Sequence, residues 1–234
     1  KEMEKERRVI IEEIHSYDDI PEEIVGDVFN AIHFKGCGIA HSITGTVKQV
    51  KALTHRQMLK YREQVISEIP LLICASGKVD HEELVQLCAE KFAQKKCSGV
   101  LPADTYRAHN SVKVVQKQDI AQSNLFWGLS FDRNLMDERG RCALSLFNVA
   151  MGAGMASRLF QKIREDKGLA YSVYSTADIY CDCTDWGVSL ATEPHQLKTA
   201  LELSLNETRN FLKRGFSKGE FERTKTNILG GMYL

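Results

Sequence analysis

The chain has 234 residues, of which 43% are apolar and 26% are charged, and its 31 basic residues balance its 31 acidic residues. An ordinary apolar fraction with zero net charge argues against an intrinsically disordered chain and against a dedicated nucleic-acid-binding protein, which usually carries a basic excess. No apolar run reaches the roughly 18 residues that a membrane-spanning helix needs.

The first half of the sequence predicts four helices and one buried strand. Pro21 restarts the first helix, Thr54 has the position of an N-cap, and Asp80 with Glu83 forms a capping box. A short apolar run with turn residues at both ends is typical of a buried strand. In chain order, we predict helices at 2–16, 22–34 and 54–67, a strand at 70–77 and a helix at 82–95.

The aperiodic segment 98–110 is typical of a linker. After it, a similar set of helices and strands begins again. Runs of strands and runs of helices favour an α+β architecture over a regularly alternating parallel sheet. We therefore predict one domain over 1–97 and a second over 111–234, whose strands pair with one another. Its predicted elements are strands at 112–116, 123–131, 171–180 and 186–192 and helices at 138–151, 157–166 and 195–214.

Two glutamates on the first helix are candidates for metal chemistry. Glu6 and Glu13 are seven residues apart, which is about 20° short of two full turns, so both carboxylates lie on one helix face. Carboxylates arranged in this way can ligate a metal or hold a histidine ligand from the second coordination shell. A helix with so many charges usually has a solvated face, and the residues alone favour that simpler interpretation.

The segment SRLFQKIREDKGLAYSVYS contains a second candidate group. Arg158 and Arg164 lie on a short predicted helix, Gly168 ends it, and Tyr171 opens the next strand. An arginine and a tyrosine at such a junction can meet over a cleft, where the guanidinium binds a peptide carbonyl or carboxylate and the phenol donates to a developing oxyanion. The residues alone favour a surface arginine and a half-buried tyrosine.

The remaining motifs give no complete metal or nucleotide site. The bend GAGMAS, 152–157, lacks the third glycine of a nucleotide fingerprint, so a tight turn between closely packed elements explains it better. No two histidines have zinc-ligand spacing. Seven scattered cysteines indicate reduced thiols in the cytoplasm or another reducing compartment. Cys181 and Cys183 share one face of a strand-like stretch, and ordinary thiols are favoured there.

Several motifs together resemble the pitrilysin/insulinase family of zinc peptidases, and within it the bacterial branch that is similar to mitochondrial processing peptidase. They occur in the family's order and span nearly the whole chain: EKERRVIIEEI, DDIPEE, GIAHSITGT, TGTVKQVKALTHRQMLKY, ASGKVDHEELV and GAGMASRLFQKIREDKGLAYSVYS. The resemblance implies two homologous metallohydrolase-type domains, each a mostly antiparallel sheet with helices packed on it. The first of these would be incomplete at its N-terminus.

The resemblance also implies roles for the candidate residues. Glu13 matches the family's third zinc ligand, and Glu6 matches the glutamate that supports the site. Arg164 and Tyr171 match the pair that reaches the substrate and its oxyanion. The family's other zinc ligands lie in a His-x-x-Glu-His motif, which does not occur in these 234 residues. We therefore expect Zn2+ in a longer parent protein, and an inactive chain when this piece stands alone.

Two functional hypotheses follow from the resemblance. The leading one is part of a zinc metalloendopeptidase that hydrolyses peptides or unfolded protein segments inside a closed chamber, as a homodimer or heterodimer with a second family half. The alternative is a non-catalytic partner subunit or peptide-binding module of the same family. Neither hypothesis includes a nucleic-acid partner or a membrane span.

Overall fold

The structure is a computed structural model that describes residues 2–92, 109–118, 120–132, 137–180 and 183–233. Its helices and strands are, in chain order, α1 Glu2–Asp18, α2 Pro21–His33, α3 Val47–Ala52, α4 His55–Glu68, α5 His81–Phe92, β1 Ser123–Asp132, α6 Glu138–Met151, β2 Ala170–Ile179, β3 Cys183–Thr192, α7 Leu197–Arg214 and α8 Lys218–Met232. None of the described helices is both long and apolar enough to cross a membrane.

Internal contacts divide the chain into two compact units. The first unit contains Lys1–Glu12 and Gly45–Ala103, and the second contains Glu13–Thr44 and Asp104–Leu234. The predicted linker, 98–110, lies outside the described residues except for its last two positions. The domain boundary that we expected there stays a prediction.

Side-chain caps define the helices of the first unit. The predicted N-cap at Thr54 is confirmed, because its hydroxyl accepts from the backbone N–H of Gln57 at 3.3 Å in a full capping box. Asp80 accepts from the backbone N–H of Glu83 at 2.9 Å, which is one of the two hydrogen bonds of the predicted capping box. The guanidinium of Arg7 donates to carbonyls at the end of α3, including that of Leu53 at 2.8 Å. Polar contacts therefore fix the end of α3 and the starts of α4 and α5.

Two strand predictions are wrong for the described structure. Residues 70–77 and 112–116 have no regular secondary structure, and their side chains are exposed. Leu72 is 85% exposed and Val112 is 93% exposed. A strand needs a neighbour to satisfy its backbone groups, and no described strand pairs with either segment.

The second unit is built on a three-stranded antiparallel sheet of order β1-β3-β2. β3 is the central strand, and every one of its residues is buried. The strands of the second half therefore pair with one another, as the sequence predicted, and the combination of helices with an antiparallel sheet confirms the α+β fold class.

One face of the sheet carries the main hydrophobic core, which α6 and α7 complete. Trp186 is fully buried and lies 4.7 Å from the ring of Phe147 on α6. Its indole N–H donates to Asn148 Oδ1 at 3.0 Å, which satisfies the polar edge of the ring inside the core. Met151, Leu159, Ile163, Val188 and Leu190 are the other large side chains with almost no exposure in this cluster.

Helix α2 covers the opposite face of the sheet. The ring of Phe29 lies 4.6 Å from that of Phe126 on β1. Gly128 and Gly187 are cross-strand partners beneath these rings, and a Cβ on Gly187 would lie 2.3 Å from a ring carbon of Phe126. Glycines at both positions let α2 approach the sheet closely.

Candidate functional site

The predicted helix at 157–166 is a wide π-helical turn, Phe160–Glu165. The backbone N–H of Asp166 donates to the carbonyl of Gln161 at 2.8 Å, which is the i to i+5 bond of this turn. Leu159 and Ile163 are fully buried and anchor the turn in the core. Since these anchors are four residues apart, the residues that follow each of them also share one side of the turn.

A left-handed glycine ends the turn and leads into β2. Gly168 has a φ of +60°, a conformation that favours glycine, and the N–H of Leu169 donates to the carbonyl of Ile163 at 2.9 Å. This closure places Tyr171, at the start of β2, beside the residues of the turn.

Arg164 and Tyr171 lie together, which the sequence left open as one of two interpretations. The guanidinium carbon of Arg164 lies 5.4 Å from the centre of the Tyr171 ring and 4.9 Å from the centre of the Phe160 ring. Tyr171 is 74% exposed, so the half-buried position that the residues alone favoured is wrong, and the side chain does not belong to the core of its own unit. Both side chains are therefore accessible, and their role toward substrate stays a prediction.

Arg158 has a different environment from Arg164. Its guanidinium binds Glu220 through two bonds, of 2.6 and 2.7 Å, and also donates to the carbonyl of Gly215 at 3.1 Å. It lies 4.7 Å from the centre of the Phe211 ring. These bonds raise the pKa of Arg158 and lower that of Glu220. The guanidinium of Arg158, which we considered for binding a substrate, therefore already binds the carboxylate of Glu220.

The glycine-rich bend is a close-packing feature, which agrees with the tight turn favoured from the sequence. A Cβ on Gly152 would lie 2.3 Å from the backbone nitrogen of Ser175 on β2. The hydroxyl of Ser175 donates to Asn148 Oδ1 at 2.7 Å. The end of α6 is therefore pressed against β2, which fixes the start of the segment that carries Arg158 and Arg164.

Among the residues that the structure describes, the metal candidates do not form a complete site. Glu6 and Glu13 both lie on α1 with exposed side chains. Within the described residues, no group of three or more His, Cys, Asp and Glu side chains is close enough to hold a metal ion. Cys183 is buried in β3, and Cys181 lies outside the described residues. Catalytic zinc takes three protein ligands, so the described residues alone do not fit this ion.

Sequence reasoning missed a buried acid on the central strand. Asp185 is 3% exposed, and its Oδ1 has no hydrogen-bond partner in the described structure. Burial and, as a smaller cause, the nearby charge of Asp178, its cross-strand partner, together raise its pKa to about 7. The polar sequence around Asp185 gave no sign of burial, because the central place of β3 in the sheet depends on strands elsewhere in the chain.

It also missed the neighbours of the two arginines. Phe160 is four residues before Arg164, a spacing that could have indicated contact between the two side chains. Glu220 could be identified only as the partner of Ser217 in a capping box, which the structure contains. Nothing in the local sequence connects Glu220 with Arg158, 62 residues away.

Comparisons with known proteins agree with the resemblance inferred from the motifs. The family model described as "Peptidase M16 inactive domain" matches residues 52–228, which is about three quarters of the chain. An uncharacterized zinc protease of Mycobacterium leprae is 30% identical over 100% of this chain and 53% of its own length. Another, from Streptomyces coelicolor, is 31% identical over 100% of this chain and 52% of its own length.

A solved structure has the same fold. The crystal structure of a peptidase M16 inactive domain from Pseudomonas fluorescens matches 100% of this chain and 57% of that chain, with a TM-score of 0.85 at 18% identity. The present chain spans about half the length of the curated relatives that it matches. It belongs to the M16 peptidase family, and most of it corresponds to the part described as the inactive domain.

Proposed function

We propose that the full-length protein is a zinc metalloendopeptidase and that this chain supplies a peptide-binding surface, which contains Arg164 and Tyr171. Membership of the M16 family and relatives that are named zinc proteases support the activity. The observation that carries the role of this chain is the exposed Arg164–Tyr171 pair at the junction between the π-helical turn and β2.

The chemistry of the pair suits a peptide that is being hydrolysed. A guanidinium that is stacked through its faces keeps its in-plane N–H groups for other acceptors, and these match a peptide carbonyl or a carboxylate. The phenol of Tyr171 is a single donor that can reach an oxyanion as negative charge develops on it. Arg164 would thus hold the backbone of the substrate while Tyr171 stabilises the transition state.

The zinc ion would be held mainly by other parts of the protein. In this chain, the family resemblance assigns only Glu13 as a ligand and Glu6 as its support, and both are exposed on α1. The two remaining ligands would have to come from residues outside this chain. Bound zinc lowers the pKa of a water molecule and polarises the scissile carbonyl. We expect the 234-residue chain by itself to be inactive.

The substrate would be a peptide or an unfolded protein segment, enclosed in a chamber between two family halves. Such halves would come from one long chain, a homodimer or a heterodimer. Enclosure excludes water and brings Arg164 and Tyr171 to the substrate only when the chamber closes.

A non-catalytic role is the second candidate. The matched family model is described as an inactive domain, and the described residues contain no three-ligand group. A partner subunit or peptide-binding module would use Arg164 to bind peptide without hydrolysing it. Both candidate functions therefore use the same peptide-binding surface. They differ in whether the rest of the protein supplies a zinc site that hydrolyses the peptide.

The test uses the full-length protein and a quenched fluorescent peptide. Tyr171→Phe should lower kcat by about ten- to a thousandfold, because it removes one oxyanion donor. Arg164→Ala should chiefly raise KM. Tyr174→Phe is the matched control, since it removes a hydroxyl three residues further along β2 and should leave kcat unchanged.

Removal of metal with a chelator should abolish hydrolysis, and Zn2+ should restore it. Saturable peptide binding without hydrolysis would favour the non-catalytic subunit. Wild-type kinetics in both the Tyr171 and Arg164 variants would refute the proposed role of these residues in substrate binding and catalysis.

A further inference from the structure

Arg164 lies against two aromatic rings, and its contact with Phe160 has no part in the proposed chemistry. Its guanidinium carbon is 4.9 Å from the centre of the Phe160 ring and 5.4 Å from that of Tyr171. Both distances are within the range of roughly 6 Å over which a ring face attracts a cation. Phe160 is half-buried and therefore less mobile than an exposed side chain.

The π-helical turn determines which side chains meet. Leu159 and Ile163 are fully buried, so Phe160 and Arg164, one residue further along, emerge together beside them. A turn closed by i to i+5 bonds contains more residues than the 3.6 of an α-helix, so residues four apart lie closer to direct alignment. The ring of Phe160 is thereby held under the Arg164 side chain.

The charge environment of Arg164 differs from that of Arg158. Arg158 has two carboxylate partners, Glu220 at 2.6 Å and Glu207 at 3.3 Å. In the described part of the chain, Arg164 forms no ion pair with a carboxylate, in contrast to Arg158. The Arg164 side chain instead contacts the faces of two aromatic rings.

We propose that Phe160 is a positioning residue for substrate binding. With Tyr171, it holds the Arg164 guanidinium in its binding orientation before substrate arrives, which reduces the side-chain freedom that binding would otherwise remove. The inference rests on the proposed function of Arg164. It adds that an aromatic ring at 160 sets the affinity for peptide, although this ring does not take part in bond breaking.

Kinetics of the full-length protein distinguish stacking from packing. Phe160→Leu keeps apolar volume without a ring face and should raise KM about two- to fivefold with little change in kcat. Phe160→Tyr should keep the wild-type KM. In an Arg164→Ala background, Phe160→Leu should have no further effect. Lys162→Ala, at an exposed position of the same turn, is the control and should behave like wild type.

A KM for Phe160→Leu equal to that of wild type would overturn the inference. The same would follow if the variant had an equal effect with and without Arg164, since that indicates general packing. Phe160→Tyr also keeps the test informative if Phe160→Leu does not fold, because this variant retains an aromatic ring in the turn.

A chemical measurement separates this inference from the proposed function. Phenylglyoxal modifies exposed guanidinium groups, and peptide mass spectrometry of the full-length protein gives the rate at Arg164. Loss of the stack in Phe160→Leu should increase this rate about two- to fivefold, whereas Phe160→Tyr should not change it. If Arg164→Ala leaves the kinetics unchanged, the proposed function of Arg164 fails whatever the modification rates. If only the rates are insensitive to Phe160, the positioning role fails while the function stands.

Discussion

Two segments in which the sequence predicts a strand have opposite structures. Residues 70–77 lie in the first unit without regular structure, and Leu72 there is 85% exposed. β3, Cys183–Thr192, lies in the second unit and is buried along its whole length, although it contains four polar side chains. The difference follows from neighbours, because β3 pairs on both sides with β1 and β2 and is covered on both faces.

This difference shows that apolar content alone does not make a strand. In an isolated extended segment, the backbone N–H and C=O groups form hydrogen bonds only with water, so pairing contributes no stability. In a central strand, these groups form hydrogen bonds with both neighbouring strands. Burial of β3 then follows from the helices on its two faces. The comparison predicts that substitutions in β3 have large effects and that those in 70–77 have small ones.

The largest effect is expected at Trp186, the fully buried ring of β3. Trp186→Ala should destabilise the second unit by about 3–5 kcal/mol, because it leaves a cavity beside Phe147 and removes one of the two hydrogen bonds to Asn148 Oδ1. Urea unfolding of the 234-residue chain measures this loss. Val112→Ala, at a position that is 93% exposed in the same unit, is the control and should change stability by less than about 0.5 kcal/mol. Similar losses at both positions would refute the comparison.

A pH-dependent effect of intermediate size is expected at Asp185. Its pKa is about 7 in the folded protein, above the ordinary value of 3.8, so the folded state binds this proton more tightly than the unfolded state. Its contribution should therefore reduce the free energy of unfolding as pH rises from about 4 to 7, and should stay constant above that range.

Asp185→Asn should remove this dependence. The variant should match wild type near pH 4 and exceed its stability by a few kcal/mol near pH 8, as measured by chemical unfolding at each pH. Asp178→Asn is an informative partner variant, because loss of its charge should lower the pKa of Asp185 and weaken the dependence. A constant difference between Asp185→Asn and wild type at every pH would contradict the assignment.

Local signals predicted most of the helices, although they missed α3, Val47–Ala52. The predicted span of α6, 138–151, agrees with the observed Glu138–Met151, and the caps at Thr54 and Asp80 have the expected hydrogen bonds. These features depend on residues within three or four positions of one another, which a sequence displays directly. Strands were predicted less well, since their formation depends on partners far away along the chain.

The candidate site shows the same limit. The meeting of Arg164 and Tyr171 followed from a turn and a strand that are adjacent in the sequence. In contrast, the pairing of Arg158 with Glu220 joins segments 62 residues apart. The strand that contains the buried Asp185 likewise pairs with β1, which lies more than 50 residues earlier in the chain. The zinc role of Glu13 rests on family resemblance, because one carboxylate on an exposed helix face has no chemical signature of its own.

The smallest effect is expected at Leu72. Leu72→Ala should change the stability of the 234-residue chain by less than about 0.5 kcal/mol, because an 85% exposed side chain loses little contact when it is shortened. Urea unfolding checks this value, and a loss above about 1.5 kcal/mol would show that residues 70–77 are packed. The same substitution in the full-length protein sharpens the comparison. If a strand outside this chain pairs with residues 70–77, the loss should rise toward the roughly 2–5 kcal/mol of a buried leucine. An equal, small effect in both proteins would show that this apolar segment never becomes a buried strand.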